Sequence, residues 1–185
     1  DVCSSDLERV YPQAIHTVEN KEKVYYVGIK NVVQIPIELI RKLKVHGYEL
    51  HTIDRCSING RAIDMQLRNP ITGNPMTGSS SGTAINVFLG INDLGIGTDG
   101  GGSVLAPAMS LQCYGFISPK LEQEHMKKYK RDSTDGLCFT PSLGFISRDL
   151  SVIKKAAEIC LNLKENNAPV QILYQKTIKE KLNQL

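Results

Sequence analysis

The sequence has no tryptophan, and its five cysteines, Cys3, Cys56, Cys113, Cys138 and Cys160, show no CxxC pair or other metal-ligating spacing. That scatter argues against a zinc-bound or disulfide-stapled scaffold. It fits a reducing compartment, so a cytoplasmic protein is expected. No run of about 18 apolar residues is present, and no membrane span is expected. A net charge of +3 is too small to imply a nucleic-acid partner. The one basic cluster, Lys127-Lys128-Tyr129-Lys130-Arg131, reads as a solvated loop. There is no internal repeat and no low-complexity tract. Histidine is scarce: His16, His46 and His51 read as surface or structural residues, and His125 sits beside the basic run. What is there, 41% apolar and 22% charged residues over 185 positions, suffices for one globular domain with a real core.

Strand-like and helix-like segments alternate. Val24 to Ile29 is a short apolar strand. Pro36 to His46 is a helix, with Pro near its first turn, an apolar set at Ile37, Leu39, Ile40, Leu43 and Val45, and Gly47 at its C-terminal cap. Tyr48 to Ile53 is the next strand. Arg68 to Gly78, RNPITGNPMTG, is expected to be loop. A helix over Ser80 to Leu89 and a strand over Leu94 to Thr98 follow. Ser147 is the expected cap of a helix running to about Leu163, with Asp149 near its positive end. A strand over Val170 to Tyr174 and a helix over Gln175 to Leu182 complete an α/β pattern with a mostly parallel sheet.

The richest stretch runs from Thr77 to Ser103: TGSSSGTAINVFLGINDLGIGTDGGGS. A serine cluster and a glycine-rich serine loop stand at the two ends of one apolar segment. Three successive glycines, Gly100, Gly101 and Gly102, carry no Cβ, so consecutive N–H groups can converge on an anion or a developing oxyanion. The loop alone supports this reading and a plain strand-to-loop turn equally. Two other motifs overlap here. Gly95-Ile-Gly97-Thr-Asp-Gly100 matches the dinucleotide fingerprint GxGxxG, but Pro107 falls where the required helix should run. Gly78-Ser-Ser80-Ser-Gly82 matches the nucleophile elbow GxSxG, but a proline-rich loop precedes it and only His125 is available downstream.

Together, the two serine segments resemble the core of the amidase signature family, whose pattern is roughly GGSSGG, an apolar helix, then GTDxGGS. Pro107, Cys113, Gly115, Pro119 and Gly144-Phe145-Ile146-Ser147-Arg148 extend the likeness, which is clear over about residues 68–160. The resemblance implies a single mixed sheet covered by helices on both faces. It also implies a serine hydrolase of carbon–nitrogen amide bonds built on a Ser–Ser–Lys arrangement. Ser103 falls on the nucleophile and Ser79 on the bridging serine, carried by a cis peptide. Lys30, in Gly28-Ile29-Lys30-Asn31, falls on the base. A hydroxyl needs such a base before it can attack, and a lysine desolvated among Val27, Ile29, Val32 and Val33 can supply a neutral amine. N–H groups of Gly100, Gly101, Gly102 and Ser103 would form the oxyanion hole, with Thr98 and Asp99 bracing the loop. No cofactor or metal is implied. The expected partner is a small-molecule amide, with further copies of the chain or amidotransferase subunits as candidate protein partners.

The chain departs from the family at four points. The Lys30–Ser79 separation is short, Asn31 stands in place of an acid, Ser81 in place of a glycine, and Leu105 in place of an arginine. Two alternatives therefore stay open: the amidase subunit of a tRNA-dependent amidotransferase, and a non-catalytic relative that binds a partner or ligand. Asp1 to Leu7, DVCSSDL, resembles a translated sequencing adapter and is expected to lie outside the fold, with 8–185 as a partial amidase signature domain. If Lys30 is the base, the strand it ends must lie beside the strand entering the glycine loop, and its amine must be buried within hydrogen-bond reach of Ser79.

Overall fold

The computed structural model describes residues 7–11, 23–132 and 136–163. The strands in chain order are β1 (Leu7–Val10), β2 (Tyr25–Lys30), β3 (Tyr48–Asp54), β4 (Ile63–Arg68), β5 (Pro75–Thr77), β6 (Leu94–Asp99), β7 (Tyr114–Ser118), β8 (Arg131–Asp132), β9 (Cys138–Phe139) and β10 (Ser142–Ser147). The α-helices are α1 (Ile37–Lys44), α2 (Ser81–Phe88), α3 (Leu105–Ser110), α4 (Gln123–Met126) and α5 (Leu150–Leu161). Six strands form one sheet in the order β1-β3-β2-β6-β10-β7, while β4-β5 and β8-β9 are separate pairs. The centre, β3-β2-β6, is parallel. The pairings of β1 with β3 and of β10 with β6 and β7 are antiparallel. The sheet is thus mixed, as the family resemblance implies, and less parallel than the alternation of segments suggests.

Side chains alternate across a strand, and here the alternation separates two cores. Val27, Leu94, Ile96, Leu143 and Phe145 pack with Leu39, Ile40 and Leu43 of α1 and with Val152, Ile153, Ala156 and Ala157 of α5. Ile146, on the other face, packs with Ala84, Ile85 and Val87 of α2 and with Ala108 of α3. Gly95 and Gly97 face that second side. A Cβ on Gly95 would lie 2.6 Å from Thr83 Cγ2, and one on Gly97 would lie 2.5 Å from Ser80 Oγ. These glycines let α2 settle directly on β6 and β2. The first seven residues of α2 are all buried, so its sequence carries no polar stripe.

Several local expectations need correction. The stretch from Arg68 to Gly78 is not all loop. Asn69 Oδ1 accepts the N–H groups of Ile71 (2.8 Å) and Thr72 (3.2 Å), which turns the chain so that β5 pairs back on β4. Pro107 does not prevent a helix, because it stands in the first turn of α3, where N–H groups have no intrahelical acceptor. Asp149, not Ser147, caps α5, its carboxylate accepting the Ser151 N–H at 2.8 Å. Ser147 Oγ instead donates to the Asp93 carbonyl at 2.6 Å. Leu7, expected outside the fold, pairs with Asp54 in the sheet, whereas residues 1–6 lie outside the described residues. The expected strand at 170–174 and helix at 175–182 also lie outside them.

Candidate active site

Three elements meet at the C-terminal end of β2. The parallel pairing of β2 with β6 sets Gly28 beside Gly95 and Ile29 beside Ile96, so Lys30 emerges next to Thr98. α2 covers both strands, and its N-terminal end carries the serine cluster. Lys30 Nζ lies 2.6 Å from Ser79 Oγ, across 49 positions of sequence, and 3.0 Å from Thr98 Oγ1. Lys30 is only 4% exposed. Burial, the largest influence, lowers its pKa from 10.5 to about 8, and the Arg131 charge acts in the same direction. The desolvation does not come from all the neighbours expected to supply it. Val33 is 80% exposed, and Ile29 packs on the opposite face of the sheet. Lys30 is buried because the strand turns it inward against Ser79 and Thr98.

The peptide between Gly78 and Ser79 is cis. Main-chain bonds hold it on both sides: Gly78 N–H donates to the Ala62 carbonyl (2.6 Å), and the Ser79 carbonyl accepts from Ser57 N–H (3.1 Å). A Cβ on Gly78 would sit 2.3 Å from the Arg61 carbonyl, so only glycine fits. Ser80 N–H donates to the Ser103 carbonyl at 3.1 Å, which ties the serine cluster to the glycine loop. Ser81, the departure from glycine, donates its hydroxyl to buried Asp64 at 2.5 Å. Asp64 also accepts the N–H groups of Gln66 and Leu67, which anchors the hairpin to the start of α2.

Asp99 organises the glycine loop. Its Oδ1 accepts the N–H groups of Gly101 (3.0 Å) and Gly102 (2.6 Å), and its Oδ2 those of Val104 (2.7 Å) and Leu105 (3.2 Å). Burial pushes the Asp99 carboxyl up, but the four donors outweigh it and hold the pKa below the usual carboxylate value. Two of the four N–H groups expected to face an oxyanion, those of Gly101 and Gly102, are therefore turned to Asp99. Those of Gly100 and Ser103 make no bond to it. Ser103 is half-buried and lines a cavity of about 240 Å³ together with Lys30, Ser79, Thr98, Cys56, Arg131 and others.

The sequence left parts of this wall unnoticed. Tyr129 and Arg131, from the basic run read as solvated loop, line the cavity. Tyr129 donates its hydroxyl to the Val33 carbonyl at 3.2 Å. The tyrosine set among cations was the available signal. Ser57 and Ala62 act through main-chain atoms, which leave no mark in a sequence. Of the departures, Asn31 bonds the Glu8 carboxylate through its side-chain amide, and Leu105 lies where a Cβ on Gly115 would touch it at 3.1 Å. The elbow motif does follow a strand, β5, contrary to expectation, but its Ser80 is fully buried. His125 packs on Tyr129, with ring centroids 5.4 Å apart, and does not line the cavity. Among the described residues no group of three or more His, Cys, Asp or Glu side chains could hold a metal, and no helix is long and apolar enough to cross a membrane.

Comparison with known proteins agrees with this fold. A crystal structure of an amidase superposes with a TM-score of 0.63 at 21% identity, over 90% of this chain and 46% of that one. The 6-aminohexanoate cyclic dimer hydrolase complexed with substrate gives 0.61 at 14%, over 92% and 42%. An amidase family protein from Bacillus anthracis str. Ames gives 0.60 at 18%, over 97% and 41%. The chain thus spans less than half the length of each, and at these identities the likeness is one of fold. No curated protein matches the chain. The family model described as Amidase matches residues 62–165, more than half of the chain and the whole path from the hairpin through both serines to α5, and the chain belongs to that amidase family.

Proposed function

We propose that this chain carries the catalytic centre of a serine hydrolase acting on carbon–nitrogen amide bonds. The observation that carries the reading is the 2.6 Å approach of a buried Lys30 amine to Ser79 Oγ, at a cavity that Ser103 also lines. In its neutral form the amine takes the Ser79 proton while Ser79 takes that of Ser103. Ser103 Oγ then bonds the amide carbon. The N–H groups of Gly100 and Ser103 face the oxygen on which charge develops. Collapse breaks the carbon–nitrogen bond, and the leaving amine receives its proton from Lys30 through Ser79. Water, deprotonated by the same relay, releases the acid and restores Ser103. Asp99 keeps the loop in place, and Thr98 holds the lysine.

A pKa near 8 suits the role, because about a tenth of the amine is neutral at pH 7. The rate should rise with pH through about 8 and level off above it. A fluorophosphonate probe applied to the full chain tests the nucleophile. Labelling on the peptide containing Ser103, lost in Ser103→Ala, is the expected result. Labelling that persists in Ser103→Ala, or none in the wild type, would overturn the assignment.

A further inference from the structure

The cavity wall carries one cation that this reaction scheme leaves unused. Arg131, at the start of β8, lines the same cavity as Lys30, Ser79 and Ser103. Its guanidinium lies over the first residue of the glycine loop: a Cβ on Gly100 would meet Arg131 Nη2 at 2.9 Å and Phe139 Cε2 at 2.6 Å. Arg131 Cζ stands 5.2 Å from the centroid of the Phe139 ring, so the aromatic ring steadies it. Stacking of this kind uses the face of a guanidinium and leaves its N–H edge for an acceptor.

No acceptor is supplied by the described residues. None of their carboxylates forms an ion pair with Arg131. The cavity lining includes Lys30 and Arg131 and neither aspartate nor glutamate. Asp99, beneath the loop, has both oxygens engaged by four N–H groups. A guanidinium that no aspartate or glutamate among the described residues faces, on the wall of a cavity of about 240 Å³, describes a site for a small negatively charged molecule.

We propose that Arg131 binds a carboxylate of the substrate, so that the cleft takes a small amide that also bears a carboxylate group. The guanidinium holds that group beside Gly100, and the amide carbonyl lies toward Ser103. The proposal rests on the reading of Ser103 as the nucleophile. It adds the substrate class, and its own test is one of binding. A planar guanidinium can take both carboxylate oxygens at once, which gives orientation as well as attraction.

Calorimetric titration of the full chain with succinamate and with its neutral counterpart succinamide, at low ionic strength, separates the outcomes. Succinamate should bind tighter by on the order of tenfold or more. Arg131→Gln should bring the two ligands to within about twofold, and Arg131→Lys should keep part of the preference as a point charge without the fork. Arg131 is exposed, so both variants should melt near the wild type. Equal binding of the two ligands, binding of neither, or a preference that survives Arg131→Gln would overturn the proposal. Ammonium release, followed in the same samples, reports on Ser103 separately. A charge preference without ammonium release keeps the Arg131 site and counts against the nucleophile. Release from both amides without preference does the reverse.

Discussion

Under α1 and α5, the central sheet presents Val27, Leu94, Ile96, Leu143 and Phe145, every one of them buried and apolar. Under α2, the same strands present Gly28, Gly95 and Gly97, with Thr52 and Asp54 beside them, and end in Lys30. The polar side is knitted, not merely buried. Asp54 Oδ1 accepts from Thr52 Oγ1 (2.6 Å) and Asn86 Nδ2 (2.8 Å), and Thr52 accepts from Asn92 Nδ2 (2.7 Å). The glycines admit this network, since a Cβ on Gly28 would lie 2.3 Å from Asn92 Nδ2 and 2.4 Å from Asp54 Oδ2. One face therefore stabilises the fold by excluding water. The other uses hydrogen bonds and missing side chains to bring a lysine and two serine loops to one point.

Lys30 is where the comparison breaks most sharply. Lys30→Met should lower the rate by on the order of 10²–10⁴, as for loss of a general base. It should also raise stability. Moving the amine from 10.5 to about 8 is equivalent to about 3 kcal/mol against folding at pH 7, of which the two lost hydrogen bonds offset about 1 kcal/mol each. The pH dependence follows from the lowered pKa. Between pH 8 and 10.5 the unfolded lysine keeps its proton while the folded one releases it, so wild-type stability rises with pH there. The gain in Lys30→Met is accordingly full below pH 8 and fades toward 10.5. Melting curves at pH 7 and above 10, read beside probe labelling, check both halves. A variant less stable at pH 7 would mean that the lysine holds the cleft together.

The next test sets one substitution on each face. Phe145→Ala empties a fully buried position of the apolar side and should cost about 3–5 kcal/mol. Gly28→Ala forces a methyl into the Asp54 network and should cost about 1–3 kcal/mol, as overpacking does. The sharper readout is functional. Gly28 lies two residues before Lys30, so its variant should also shift the pH limb of activity, whereas Phe145→Ala should leave that limb in place at a temperature where it stays folded. Denaturant melts and pH–rate profiles together check the pair.

The two faces also differ in how much of them the sequence displays. Apolar periodicity marks α1, β2 and β6, and Pro36 and Gly47 bracket α1. Gly47, at φ +83°, takes the left-handed conformation expected of a residue after a helix. The polar face has no period to read. Asp54, Thr52, Asn86 and Asn92 converge from β3, α2 and the turn after it, and only the folded chain brings them together. The β4–β5 pair is masked by two prolines and an asparagine turn. Ser79 and Ser103 are visible because they lie in linear motifs, and Lys30 because of a short tripeptide match. The grip of Ala62 and Ser57 on the cis peptide is not visible, because it is made of carbonyl and N–H groups.

Ser81→Gly restores the family residue on the polar side and removes the hydroxyl that Asp64 accepts at 2.5 Å. It should cost about 1–3 kcal/mol, since a buried carboxylate oxygen loses its donor. Unchanged stability would show that Asp64 is satisfied by Gln66 and Leu67 alone.

The smallest expected effect belongs to a polar contact within the apolar side, where Tyr48 donates its hydroxyl to the Val152 carbonyl of α5 at 3.0 Å. Tyr48→Phe keeps the ring, and with it the stacking on Tyr25 at 4.9 Å, and removes one hydrogen bond. The cost near neutral pH should be about 1 kcal/mol. Its pH dependence runs opposite to that of Lys30. Burial raises the Tyr48 pKa well above its ordinary 10.0, so the folded phenol stays protonated where the unfolded one ionises. The unfolded state then binds fewer protons, and wild-type stability falls as pH rises beyond 10. Phenylalanine cannot ionise in either state. The deficit of Tyr48→Phe should therefore be constant from pH 6 to 9 and shrink above 10. Melting the two proteins side by side across that range tests it, and a deficit that grows with alkalinity would mean that the phenol is not held by Val152 as described.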